Sequence, residues 1–451
     1  MFKNLRQLNR FSLLLLAIAF VMSISQSTMT TAYPILMQHF HVDASVVQWL
    51  TTGFMIAMTL MMPLSPWLMD NVPLKRLLNG IVAVFLLGTA IAMVTPVFAG
   101  IIIGRLLEGL AVGALFPTYQ ALIIENTPVE KRGVSMGIVG LVMGSALAVG
   151  PIVSGFVLQL ESWRWLFIIF FVILLILIVS LQGQIKQSHK IQPSGFDFWS
   201  ALLLLGFGGI LYTVSILPDT GLSLSWYLYL AVSLAVLVAF IVRQLRLKHP
   251  FLNLSVFEYH GYLPAMLLTG ISYSGLITTT VLMPLYYQRI FHLAPFWSGL
   301  LMVPAAAFLS LLNPRAGALL NRIGLRRLVV IGTTMMIVGY AALALAGTSS
   351  IIVGVIAAML LEGGNAFIMM PSLTFANDAL PDNLVPHGTA IITTMRQFIG
   401  AGSIVVATLL ITSFNAHLNY GAALSHTAAW FILIPVLGLL LATQLKKRIK
   451  A

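Results

Sequence analysis

Leu106-Leu107-Glu108-Gly109, followed by Pro117, recurs as Leu360-Leu361-Glu362-Gly363, followed by Pro371. The offset is 254 residues throughout (Leu106 to Leu360). Around this block the same spacing returns. Arg132-Gly133 finds His387-Gly388, and Pro63, Leu68, Asp70, Lys75 and Arg76 find Pro314, Leu319, Asn321, Arg326 and Arg327. Separate segments agreeing to within a few residues of one offset point to duplication of a long unit. Each copy of the Leu-Leu-Glu-Gly block lies inside an apolar run, where a carboxylate costs about 2.5–3.5 kcal/mol on insertion scales.

The surrounding composition says what the duplicated unit is. Of 451 residues, 59% are apolar or aromatic and only 8% are Asp, Glu, Lys or Arg, against roughly 25% in soluble domains. No solvated surface of ordinary size fits that composition, so a water-soluble enzyme is excluded, as is a disordered or fibrous chain. A membrane span takes about 20 apolar residues. Reading such runs gives fourteen, from 11–33 to 427–445. The duplication pairs the first six with the last six and leaves two between. The expected fold is an all-α polytopic membrane protein with fourteen helices arranged six, two, six. Its units are 1–190, a two-helix insertion 191–255, and 256–451, and the insertion reads as a lipid-facing spacer. The first run is too long for a leader's apolar core and has no A-x-A site after it, so it reads as an uncleaved span.

Net charge is +12. Nineteen of the 24 Lys and Arg fall on one side of the alternating runs: Lys3, Arg6, Arg10, Lys75, Arg76, Lys131, Arg132, Lys186, Lys190, Arg243, Arg246, Lys248, Arg322, Arg326, Arg327, Lys446, Lys447, Arg448 and Lys450. That asymmetry puts both termini in the cytoplasm and accounts for the charge without nucleic acid. Cysteine is absent, which removes thiolate chemistry and disulfides. No G-x-x-x-x-G-K-[ST] occurs, so an ion gradient is the available drive. His39, His41 and Asp43 read as an ordinary outer loop rather than a metal site.

Three motifs then stand out. Arg105 and Glu108, at i and i+3, share a helix face. The turn Leu68-Met69-Asp70-Asn71-Val72-Pro73-Leu74-Lys75-Arg76 has a second copy, Leu319-Leu320-Asn321-Arg322-Ile323-Gly324-Leu325-Arg326-Arg327. An acid capping a helix N-terminus beside basic residues can latch neighbouring helices at the cytoplasmic face. Gly140-x-x-x-Gly144, then Gly150-Pro151-Ile152-Val153-Ser154-Gly155, supplies small residues that let helices approach closely.

With these on the page, nearly the whole chain resembles the major facilitator superfamily. It is closest in pattern to the fourteen-helix drug:proton antiporters and their lincomycin-exporter branch. Asp70, Lys75 and Arg76 match the gating motif G-x-L-a-D-r-x-G-r-k, although Pro66 and Pro73 replace its glycines. Gly104-Arg105-Leu106-Leu107-Glu108-Gly109 resembles R-x-x-q-G-x-g. Gly150-Pro151 with Gly155 resembles the G-P-x-x-G-G of antiporters, Ser154 replacing one glycine. Trp163-Arg164-Trp165-x-Phe167, Pro386-His387-Gly388-Thr389-Ala390 and Thr394-Met395-Arg396-Gln397 resemble stretches of the branch. Where the wider family has an acid in helix 1, this chain has Ser25.

The resemblance implies proton-coupled export of lipophilic drugs or toxic compounds across the cell membrane by alternating access. It implies no enzyme activity, no cofactor beyond the proton, and a monomer in membrane lipid. Export of an endogenous lipid, peptide or metabolite uses the same machinery. A nutrient importer and a non-transporting receptor are the contrasting classes. Proton coupling is expected at Glu108, tuned by Arg105, and at Glu362, with Arg396 approaching Glu362 from equal depth. Ser25, Gln26, Thr30, Tyr119 and Gln397 are expected to line a substrate cavity. The gate is expected at Asp70, Lys75, Arg76, Asn321, Arg322 and Arg326, and close helix packing at Gly144, Gly150, Pro151 and Gly155.

Overall fold

A computed structural model describes residues 9–158, 162–185, 191, 193–346 and 348–445. Among these residues every long element is a helix and there is no strand. Thirteen helices are long and apolar enough to cross a membrane, and a further 29-residue helix, Val129–Val157, lies between the fourth and fifth of them. In chain order the long helices are α1 (Arg10–Phe40), α2 (Trp49–Asn71), α3 (Leu74–Val94), α4 (Phe98–Glu125) and α5 (Val129–Val157). They continue with α6 (Arg164–Leu181), α7 (Phe198–Leu217), α8 (Leu224–Arg246), α9 (Tyr262–Ile290) and α10 (Trp297–Ile323). The last four are α11 (Leu325–Ala346), α12 (Ile351–Asp378), α13 (Asp382–Asn415) and α14 (Tyr420–Gln444).

Such helices form because the bilayer interior offers no partner for a free N–H or C=O, so each span must close its own hydrogen bonds. Proline recurs at repeat-related places: Pro117 and Pro371 lie inside α4 and α12. Pro63 sits in a single 3-10 turn within α2, and its counterpart Pro314 lies inside α10. Each removes an interior helical hydrogen bond and bends its helix.

Helices α1–α6 pack on one another, and so do α9–α14. The two groups meet chiefly through α5 on α10 and α2 on α13. The duplication relates α2 to α10 and α5 to α13, so these two seams are counterparts. The first seam is backbone-close. A methyl group on Gly133 would strike the Gly317 carbonyl, one on Gly137 the Asn313 backbone, one on Gly140 the Asn313 side chain, and one on Gly144 the Leu309 side chain.

The insertion behaves as two different helices. The most apolar stretch of α8 is only 17% buried, as a lipid-facing spacer would be. Helix α7 instead lies over the α2–α13 seam. Phe207 packs on Phe398 of α13 with ring centroids 5.4 Å apart, Tyr212 on Trp49 at 5.9 Å, and Gly208 leaves room for Ile56 and Leu60 of α2. The spacer expectation therefore fails for α7, because Gly208 and Phe207 give it a face that fits both groups. Below α7, Asp197 accepts two hydrogen bonds from Arg243, each 2.7 Å. This fork, first of all, holds the Asp197 carboxyl down at about 2, below the usual carboxylate range.

Lys3, Arg6, Lys186, Lys190, Lys446, Lys447, Arg448 and Lys450 lie outside the described residues. The turns carrying Lys75-Arg76, Lys131-Arg132 and Arg326-Arg327 mark what is called here the basic end of the bundle.

Candidate functional site

At the basic end the two groups are clasped. Oδ2 of Asp70, in the last turn of α2, lies 3.6 Å from Nε2 of His387 in the first turn of α13. Nδ1 of His387 accepts from the Asn253 N–H at 3.2 Å. Arg132 of α5 bridges to Asp378 of α12 at 3.1 Å and reaches Asp382 at 3.9 Å. Asn321 of α10 donates to the Glu130 carbonyl at 2.5 Å. A cavity of about 520 Å³ opens beside this clasp, lined by Trp67, Asp70, Arg132, Asp382 and His387 among others. Lys75, Arg76, Arg322 and Arg326, expected at the gate, are exposed and do not line that cavity. His387 was not among the residues the sequence assigned to the gate. Its position as the repeat counterpart of Arg132 was the available signal.

Deeper in, Glu108 is enclosed within the first group. It forms an ion pair with Arg105, accepts from Thr89 of α3 at 2.7 Å, and accepts from Ser25 of α1 at 3.4 Å. Arg105 also donates to the Ser25 hydroxyl (3.2 Å) and to the Leu50 carbonyl (3.3 Å), and its guanidinium lies 4.2 Å over the Phe54 ring. Both side chains are fully buried. The cluster ties α1, α2, α3 and α4 at one point. The close α3–α4 approach comes from Gly88 and Gly104, whose added methyls would each strike the other's carbonyl. Chemically, it is a buried ion pair in which Nη2 of Arg105 alone lacks an acceptor, and losing either partner leaves a bare charge in oil.

Ser25 thus serves the Arg105–Glu108 pair. Other hydroxyls of α1 hold α5: Ser27 donates to the Ala146 carbonyl (3.2 Å), Thr31 to the Ser154 hydroxyl (2.7 Å), and Ser154 to the Thr28 carbonyl (3.0 Å). Gly150 fits against Ser27, and Gly155 faces open space. Gln26 is half-buried. The side chains of Thr30 and Pro151 lie outside the described residues.

Glu362 keeps different company. It is 4% exposed, and the hydrogen bond it receives comes from Asn365 Nδ2 at 3.5 Å. Ser272 of α9 donates to Asn365, so Glu362 sits on the α9 and α11 side of α12. Among the described residues no cation lies within ion-pairing distance of it. The expected approach of Arg396 does not occur. Equal depth along two helices fixes height, whereas the direction each side chain takes is set by helix rotation.

Arg396 instead turns toward the seam. Its guanidinium lies 5.0 Å over the Tyr273 ring of α9 and within electrostatic reach of Tyr119 on α4. Tyr273 donates to Gln397 at 3.1 Å, and Gln397 crosses to Sδ of Met58 on α2 at 3.8 Å. Tyr119, Gln397, Arg396 and Met58 are all buried. They meet from both groups where α2 and α4 face α13.

An all-helical bundle whose two helix groups are clasped at one end and polar at the seam invites comparison with known folds. The Major Facilitator Superfamily model matches residues 15–404. The chain belongs to the major facilitator superfamily. It is 35% identical over 449 residues to the MFS-type transporter YcnB of Bacillus subtilis (strain 168), covering 96% of this chain and 94% of that one. It is 30% identical over 458 residues to the lincomycin resistance protein LmrB of the same organism, covering 96% and 95%. The solved proton:xylose symporter XylE superposes with a TM-score of 0.69 at 14% identity, over 95% of this chain and 94% of that one. That likeness concerns the fold. This superfamily member is a multi-pass membrane transporter and not an enzyme.

Proposed function

We propose that this transporter is a proton-coupled antiporter that exports lipophilic drugs or toxic compounds across the cytoplasmic membrane by alternating access. In this reading Val129–Val157 is the fourteenth crossing. Residues 1–190 and 256–451 form the two six-helix lobes, 191–255 form the inserted pair, and the protein works as a monomer. The basic end and both termini face the cytoplasm, in accord with the distribution of Lys and Arg. Relatives named for lincomycin resistance and multidrug resistance support the class of cargo.

The observation that carries the coupling is the unequal company of the two buried acids. Glu108 has Arg105 as its counter-ion, whereas Glu362 has a long amide contact and no cation among the described residues. A buried carboxylate without a partner is far costlier than a buried carboxyl that holds its proton. Glu362 is therefore the acid whose proton is exchanged when water enters the second lobe during the cycle, and the Arg105–Glu108 pair keeps the first lobe rigid as it rocks.

The clasp supplies the switch. With Asp70–His387, Arg132–Asp378 and Asn321–Glu130 closed, the cytoplasmic route to the seam is shut. Releasing them admits substrate from the cytoplasm and lets Glu362 discharge its proton to that side. Antiport follows if re-closure requires either substrate or proton but not both. Proteoliposomes with an imposed pH gradient test the function. Gradient-dependent movement of lincomycin or of lipophilic dyes is the expected result. Movement unaffected by the gradient would refute the coupling.

A further inference from the structure

A guanidinium is expensive to bury without an anion, yet Arg396 is 1% exposed and has neither a carboxylate within ion-pairing distance nor a hydrogen-bond acceptor for Nε or Nη1 among the described residues. What lies near it is aromatic and neutral: the Tyr273 ring 5.0 Å below it, Tyr119 across the seam, and Gln397 beside it in sequence. Arg105, the other fully buried arginine among the described residues, leaves one nitrogen, Nη2, without a partner but has a carboxylate, a hydroxyl and a backbone carbonyl around it. Other buried polar atoms also lack partners, among them Oε1 of Gln120 on α4 and both side-chain atoms of Asn313, which lies at the α5–α10 seam. Buried polar groups are almost always satisfied, so two open donors on one buried cation, facing the other helix group, mark a place that something else completes.

We propose that Arg396 is the anchor of a substrate site that takes an anionic group, a carboxylate or comparable oxyanion, carried on an apolar body. The two acids within the spans cannot reverse this preference. Glu108 is paired inside the first lobe, and Glu362 faces α9 and α11, so the seam presents a cation and no acid. The oxyanion accepts a charge-assisted hydrogen bond from Nε or from Nη1, the two donors left open on separate edges of the guanidinium. Tyr119 and Tyr273 flank the apolar body, and Met58 and Met143 supply surface that adapts to its shape. Gln120 Nε2, 3.9 Å from Met143 Sδ, keeps its carbonyl oxygen free for a donor on the same molecule. The anion arrives either as a soluble amphiphile or as a lipid headgroup, since both carry the same chemistry.

This proposal rests on the export reading, and its test separates the two. Three naphthalene probes share an apolar body and differ in charge: 1-naphthaleneacetate, 1-naphthaleneacetamide and 2-(1-naphthyl)ethylammonium. Binding to the full-length protein in phosphatidylcholine nanodiscs is measured by tryptophan fluorescence. The acetate should bind at least tenfold more tightly than the amide or the ammonium. Arg396→Lys should keep that order and Arg396→Gln should erase it. Without ligand, Arg396→Gln should melt at or above the wild-type temperature, because it removes an unpaired buried charge. Equal binding of the three probes, retained preference in Arg396→Gln, or a marked loss of unliganded stability would overturn the site. Repeating the titration with phosphatidylglycerol in the disc identifies the source. Competition assigns the anion to lipid, and its absence assigns it to a soluble solute; either result keeps the site. If the ammonium probe moves uphill under a pH gradient while the acetate does not bind, export stands and the anion site falls. If a pH gradient moves none of the probes, nor lincomycin nor the lipophilic dyes, the export reading itself falls.

Discussion

Asp70 and Asn321 are repeat counterparts, and each reaches across to the start of the opposite lobe's counterpart helix. Asp70 pairs with His387 at the head of α13, and Asn321 bonds to the Glu130 carbonyl at the head of α5. The two contacts form a pseudo-symmetric latch at the basic end. The sequence motif pointed to an acid among neighbouring cations. The structure gives Asp70 a partner from the other lobe, and a contact of that kind has to break when the lobes part.

Asp70→Asn or His387→Ala should therefore favour opening at the basic end. Partly exposed polar pairs of this kind are worth at most about 1 kcal/mol, so the open population should rise by up to about fivefold. The chain has no cysteine, which makes a single reporter clean. Asn313→Cys, buried against Gly137 and Gly140, should be alkylated faster by a permeant maleimide in either latch variant. An unchanged rate would remove the latch from the gating account.

The α5–α10 seam should respond to volume rather than charge. Gly133→Val or Gly317→Val puts side-chain carbon where the opposing backbone now lies, and overpacking typically costs about 1–3 kcal/mol. Spin labels on Lys131 and Arg326, both exposed at the basic end, should report a longer distance in these variants than in the parent. A distance distribution identical to the parent's would mean that the seam is not held by glycine contact.

Glu108→Gln and Glu362→Gln should part company in stability. The first strands Arg105 in a dry pocket and should cost about 3–5 kcal/mol, as loss of one partner of a buried pair does. The double change Arg105→Met with Glu108→Leu should recover much of that loss. Glu362→Gln keeps the Asn365 contact and should melt close to the parent. Thermal unfolding in detergent reads all three. A large loss in Glu362→Gln would make that residue structural.

Asp197 and Arg243 should hold the base of α7 and α8 with little sensitivity to pH in the working range. The Asp197 carboxyl titrates at about 2 when folded, below its unfolded value of about 3.9. Its contribution is therefore full above the unfolded value and fades only as pH falls from there toward 2. Amide protection at the start of α7, taken relative to the intrinsic chemical exchange rate, should be equal at pH 6 and pH 8. Asp197→Asn should lower it at both. Faster exchange at pH 6 than chemical exchange alone explains would contradict this.

Much of this organisation was legible in the residues. The 254-residue offset announced the duplication, and the apolar runs placed the helices within a few residues. The i, i+3 spacing joined Arg105 to Glu108. What could not be read was rotation about the helix axis. Counting depth put Arg396 beside Glu362, yet one faces the seam and the other the interior of its lobe. The hydroxyls of α1 misled for the same reason, since Ser25 turns to Glu108 while Ser27 and Thr31 turn to α5. Helix α7 escaped because Gly208 and Phe207 carry no periodic signature distinguishing a seam from lipid. The glycines at 133 and 137 gain meaning only once Gly317 and Asn313 are seen opposite them.

The central claim is that Glu362 carries the coupling proton, and uphill transport by Glu362→Gln tests it most directly. In proteoliposomes, the parent should concentrate substrate against its gradient when a pH gradient is imposed. Glu362→Gln should still exchange substrate down its gradient but fail to concentrate it. Undiminished pH-driven accumulation in Glu362→Gln would contradict the account.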